Sequence, residues 1–196
     1  MKVIFATGNE NKMREIRAIL KDTGIEVVSQ KEAGIDIDVV EDGDTFEENA
    51  IIKAKAIMGL TGEITLADDS GLEIDYLNKE PGIYSARYMG EDTSYHIKNA
   101  NLIERLSGVL DEQRTARFVC VVAAVFPDGK VITTRGTMEG LIGYEEKGSN
   151  GFGYDPILYL PEYQMSSAEI APEVKNAISH RGEALQKMKK HLQSEK

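Results

Sequence analysis

Residues 2–29 limit the possible folds more than any other stretch. Lys2–Thr7 is a short apolar run of strand type, Gly8-Asn9-Glu10-Asn11 has turn chemistry, and a helix follows to about Thr23. Met13, Ile16, Ile19 and Leu20 give that helix one apolar stripe, Gly24 suits its C-terminal cap, and Ile25–Ser29 reads as a second strand. Strand, turn, helix and strand in this order place the chain in the α/β class.

The remaining sequence extends that pattern. Residues 35–48 carry seven carboxylates and no basic residue, the composition of a solvated loop. A helix is expected from about Thr45 to Gly59, because Thr45 and Glu48 have the spacing of a capping box and Phe46, Ala50, Ala54 and Ile57 share a face. Ile64–Ala67 reads as a strand ended by Asp68-Asp69-Ser70-Gly71, with Leu72–Leu77 able to continue the sheet. Thr93–Leu106 has helical spacing, with Asn99, Leu102, Ile103 and Leu106 on or near one face. Residues 118–126 and 130–135 flank Pro127-Asp128-Gly129 as a hairpin. Residues 140–161, rich in glycine and aromatic residues, read as loop, and a last helix is expected over residues 179–193 with Ala184, Leu185, Met188 and Leu192 inward.

Composition narrows the function classes. A chain of 196 residues forms one large domain, 1–196, or two closely packed lobes. The net charge of −10 argues against broad binding to duplex nucleic acid or anionic membranes, while leaving room for a local basic pocket that takes a small polyanion. The single cysteine, Cys120, lies in an apolar run and reads as a buried small hydrophobe. With no apolar segment near the roughly 18 residues of a membrane span, and too short an apolar start for a signal peptide, a soluble cytoplasmic protein is the expectation.

Four clusters carry possible chemistry. In Thr7-Gly8-Asn9-Glu10-Asn11-Lys12 a strand gives way to a helix N-terminus, whose N–H groups and positive dipole end suit phosphate, and Lys12 adds a full charge. Glu41 and Asp69 sit in carboxylate clusters, and carboxylates together with phosphate oxygens are how Mg²⁺ is held. In Phe152-Gly153-Tyr154-Asp155 a ring is set between glycines rather than in an apolar run, which suits base stacking, with Asp155 or the backbone near the base edge. In Lys175 through Ser179-His180-Arg181, a positive pair stands at the expected first turn of the last helix, an arrangement that invites an anionic or carbonyl-rich partner.

Taken together, these pieces resemble the RdgB-type inosine/xanthosine triphosphate pyrophosphatase family. The matching segments are Thr7-Gly8-Asn9 with Lys12, Glu41, residues 45–50 with Lys53, residues 67–72, residues 81–87, residues 152–156, and Ser179-His180-Arg181, in family order along nearly the whole chain. The resemblance implies an α/β fold with a long mixed β-sheet and two α/β lobes around a central cleft, in a homodimer. It implies Mg²⁺-dependent hydrolysis of ITP, dITP or XTP to the monophosphate and pyrophosphate. It also implies roles: Thr7, Gly8, Asn9, Glu10, Asn11, Lys12 and Lys53 on the triphosphate, and Glu41 and Asp69 on Mg²⁺. Asp69 would further be the proton acceptor for the attacking water, Ser70 a substrate contact, and Phe152, Gly153, Tyr154, Asp155, Lys175, His180 and Arg181 the base pocket. A nucleotide-binding sensor and a general nucleotide phosphohydrolase are the rival readings.

Overall fold

A computed structural model of the chain describes residues 1–194. Seven strands form one mixed sheet in the order β2-β1-β3-β4-β5-β6-β7. The opening unit is β1 (Lys2–Phe5), α1 (Glu10–Leu20) and β2 (Glu26–Ser29), followed by α2 (Phe46–Thr61) and β3 (Thr65–Ile74). β1 pairs in parallel with β2, Val3 opposite Val27, and with β3, Phe5 opposite Leu66. Then come α3 (Tyr95–Arg105), β4 (Thr115–Val125), β5 (Val131–Ile142), β6 (Leu158–Leu160), β7 (Met165–Ser166), α4 (Pro172–Ile178) and α5 (His180–Ser194). β5–β6 and β6–β7 pair antiparallel.

The chain forms two compact units, each with its own core. The first comprises Met1–Asp69, Cys120–Gly136 and the chain from His180 onward. Its core joins Val3, Phe5 and Leu66 of the sheet to the expected stripe of α1 and to Ala184, Leu185, Met188 and Leu192 of α5. Cys120 lies inside it, fully buried, and burial pushes its thiol up to about 12, so it remains a neutral hydrophobe. The second unit comprises Ser70–Val119 and Thr137–Ser179, with Leu72, Ile74, Leu102, Leu106, Tyr154 and Leu158 in its core. Among the described residues no helix is long and apolar enough to cross a membrane.

The helix expectations hold in the main, except that α1 ends at Leu20 with Lys21 as its C-cap, short of Thr23 and Gly24. Asn9 caps α1, Thr45 caps α2 through a bond to Glu48 N, and Ser94 caps α3. The sheet differs in three places. β3 does not stop at Asp68-Asp69-Ser70-Gly71 but runs through it without a break to Ile74. β4 and β5 extend beyond the expected hairpin, and β5 takes residues 140–142 from the expected loop. The rest of that loop contains a 3-10 turn at Asp155–Ile157 and β6. The short helix α4 was not expected, and Ser179 is the extended residue between it and α5.

Candidate active site

In the first unit, β1 ends at Phe5 and its parallel neighbour β3 carries Asp68 past the first turn of α1, the side of an α/β sheet where ligands bind. The turn after β1 is tightly organised. Asn9 N donates to Thr7 Oγ1 at 3.1 Å, and Asn9 Oδ1 accepts from Asn11 N at 3.0 Å and Lys12 N at 3.1 Å. These amides are therefore already engaged. What the turn leaves exposed are Gly8 and Glu10 at the positive end of the helix dipole, while the Lys12 ammonium turns inward to Asp68. The Glu10 carboxylate repels phosphate, so only its backbone suits one.

Two neighbouring aspartates on β3 have opposite surroundings. Asp68 is fully buried, with Lys12 Nζ at 3.0 Å and an Arg181 terminal nitrogen at 3.2 Å from Oδ2. Burial drives its pKa upward, but Lys12, Arg181 and Lys53 outweigh that and hold the carboxyl well below the usual range. Arg181 is as deeply buried and also reaches Glu15. Asp69 shows the reverse. Burial raises it most and Glu41 raises it further, against Lys53, Lys12 and Asn49, leaving a pKa of about 6. Glu41 in turn has Lys53 Nζ at 3.2 Å from Oε2.

Glu41 and Asp69 are close enough for one charge to disfavour the other, and a hard divalent cation relieves that repulsion. Among the described residues no group of three or more Asp, Glu, His or Cys forms a metal cage. Two carboxylates fit Mg²⁺, which takes one or two of them and completes its shell with phosphate oxygens and water.

The second cluster lies in the second unit. Asp155 is buried and inward-facing: it accepts from Phe152 N at 2.9 Å, Ser167 Oγ at 2.7 Å and Lys175 Nζ at 2.7 Å. It holds the loop, and both of its oxygens are engaged in doing so, against the expectation of an Asp155 turned to a base edge. Gly151 has φ +71°, and a Cβ there would collide with Asp155 Oδ2. Phe152 is half-buried, with Lys175 Nζ 5.4 Å from its ring centre. The Tyr154 hydroxyl donates to Ser85 O at 2.6 Å, and its ring meets Tyr95 edge-on at 5.1 Å. Asn99 donates to Gly153 O at 3.3 Å and Glu146 Oε1 at 2.7 Å.

The structure thus groups Thr7–Lys12, Glu41, Lys53, Asp69, His180 and Arg181 in one unit, and Ser70, Phe152–Asp155 and Lys175 in the other. Arg181 is first of all a counter-ion to Asp68 and Glu15. Sequence reasoning missed Asp68 and Glu15 as its partners, Asn49 beside Asp69, and Tyr95 and Asn99 beneath the Phe152 loop. Asn99 carried one signal, an amide on the buried stripe of α3.

The Ham1 family profile matches residues 3–191. A dITP/XTP pyrophosphatase of Clostridium perfringens is 50% identical over 97% of this chain and 97% of that one. Another from Vibrio cholerae is 47% identical over 100% and 98%. Among solved structures, a HAM1 protein from Coxiella burnetii superposes with a TM-score of 0.90 at 40% identity, covering 99% of both chains.

Proposed function

The chain belongs to the Ham1 family, and on that premise we propose that it hydrolyses non-standard purine nucleoside triphosphates, ITP, dITP and XTP, to the monophosphate and pyrophosphate. The observation that carries the proposal in the structure is Asp69, a buried carboxyl with a pKa near 6 beside Glu41 and Lys53. A carboxylate of that basicity is poised to orient a water and take its proton at neutral pH. Lys12 and Lys53 supply positive charge for the triphosphate, together with the N-terminus of α1. Asp68 and Arg181 keep Lys12 and β3 in place.

Mg²⁺ is the proposed cation, held by Glu41 and Asp69; when bound it would neutralise the charge that builds on the leaving pyrophosphate. Ser70 is proposed as a further substrate contact. For the base, Phe152 offers a stacking face, with Gly153, Tyr154 and Asp155 shaping the loop. Lys175 and Arg181 have donors only, which can bond the 6-carbonyl of hypoxanthine or xanthine and cannot bond the 6-amino group of adenine; His180 precedes Arg181 at the start of α5. A homodimer acting on free nucleotides in the cytoplasm completes the proposal, and the acidic net charge is unsuited to duplex nucleic acid.

The test is product analysis with ITP, XTP, GTP and ATP in ¹⁸O-labelled water with Mg²⁺. The expected result is label in the monophosphate, intact pyrophosphate, and little turnover of ATP. Label in free phosphate, or activity that survives EDTA undiminished, refutes the proposal.

A further inference from the structure

The N-terminus of α2 is clamped to the acidic segment before it. Thr45 Oγ1 accepts from Glu48 N at 3.1 Å, Glu48 Oε2 accepts from Asp44 N at 2.7 Å, and Asn49 Oδ1 accepts from Gly43 N at 2.9 Å. Gly43 makes the closest approach: a Cβ there would stand 2.7 Å from Glu48 Cβ and 2.9 Å from Asn49 Oδ1. The chain carrying Glu41 is thereby fixed to the helix two residues further on. A run of carboxylates with no such bonds would be free to move in solvent.

Asn49 is completely buried, an unusual place for an amide. Its oxygen is used by Gly43, while its Nδ2 has no hydrogen-bond partner among the described residues. Lys53 lies one helical turn beyond Asn49, on the same face, and approaches Glu41. One face of α2 therefore holds the Glu41 segment twice, through Asn49 at the backbone and Lys53 at the carboxylate.

We infer that Asn49 is a positioning residue for the divalent-cation site, setting the place of Glu41 through the Gly43 amide. The inference rests on the proposed function in one respect, that Glu41 and Asp69 hold the cation. Residues that orient metal ligands in this way typically change metal affinity 10- to 100-fold when removed, without touching the metal.

The experiment is a Mn²⁺ titration of the whole protein, without nucleotide, followed by electron paramagnetic resonance. Asn49→Ala and Gly43→Ala are each expected to raise the Mn²⁺ dissociation constant at least about tenfold. The double variant should be no weaker than the weaker of the two single variants, because both changes break the Gly43–Asn49 bond and only Gly43→Ala also crowds Glu48. At saturating Mg²⁺ the KM for ITP should stay within about twofold of wild type, a split that general unfolding would not produce. Wild-type Mn²⁺ affinity in folded Asn49→Ala overturns the inference. If that variant does not fold, Gly43→Ala, which leaves Asn49 present, decides in the same way. Glu41→Gln and Asp69→Asn are the reference: if both weaken Mn²⁺ and Asn49→Ala does not, only this inference fails. If neither weakens it, the cation site itself fails, and the inference with it.

Discussion

Replacing Asp69 by Asn should make the metal-free protein more stable while abolishing turnover. The carboxyl is displaced from 3.8 to about 6, first by burial and then by Glu41. Each unit of displacement corresponds to about 1.4 kcal/mol, so ionised Asp69 destabilises the fold by about 3 kcal/mol at pH 7. The sign follows from proton counts. Between pH 4 and 6 the native state holds a proton at Asp69 that the unfolded chain has already lost, so stability falls as pH rises through that window and is level above it. Asparagine keeps the shape and carries no charge. In EDTA at pH 7 the variant should gain about 2–3 kcal/mol in urea unfolding, or roughly 5–10 °C in Tm for a chain of this size. At pH 4, where the wild-type carboxyl is protonated, the two proteins should converge. Equal or lower stability of Asp69→Asn at pH 7, with the two matching at pH 4, would refute the claim that this carboxylate is held charged at a cost to the fold.

Asp68→Asn should do the opposite, losing about 3–5 kcal/mol in urea unfolding at pH 7, because Arg181 then keeps its burial and loses a counter-ion. Since the Asp68 pKa is depressed, its contribution is present above the ordinary aspartate range and disappears only as pH falls through the lowered native value, so the deficit should shrink in strong acid alone. Phe152→Ala should lower kcat/KM for ITP and ATP together by about 1–3 kcal/mol, the value of one stacked base; a loss confined to ITP would show that the ring reads exocyclic groups. Gly151→Ala, forced to φ +71° against Asp155, should raise KM for ITP severalfold with the Tm lowered by a few degrees, and an unchanged KM would detach this loop from the substrate.

The helices and the first βαβ unit were legible because their signals are local: stripes, caps and a turn. β3 was not, because Asp-Asp-Ser-Gly is turn chemistry by residue type, and only pairing with strands distant in sequence keeps it extended. The same holds for β5 and β6, whose glycine-rich sequence looks like loop. α4, with seven residues, is too short to show a period. Within the candidate site the chain named the reactive groups by type and order. It could not show that Asp68 and Asp69, identical in kind and adjacent, have opposite electrostatics. That difference depends on Lys12, Lys53 and Arg181, brought to them from remote parts of the chain.

The unbroken course of β3 has a consequence for how this protein tolerates change in length. Side chains alternate along a strand, so Asp68 shares its face with Leu66, in the core with α1 and α5, while Asp69 takes the other side, toward α2. Inserting one residue between Thr65 and Ala67 would carry Ala67 and Asp68 into the places of Asp68 and Asp69, and deleting one would carry Asp69 and Ser70 into them, so either change leaves one of the two places without a carboxylate. Two-residue changes restore parity but move the pair by about 7 Å along the sheet. The strand accordingly reads as a stretch where lineages can diverge by substitution and almost never by gaps, in contrast to exposed turns such as Pro127-Asp128-Gly129, where an added residue shifts nothing beyond itself.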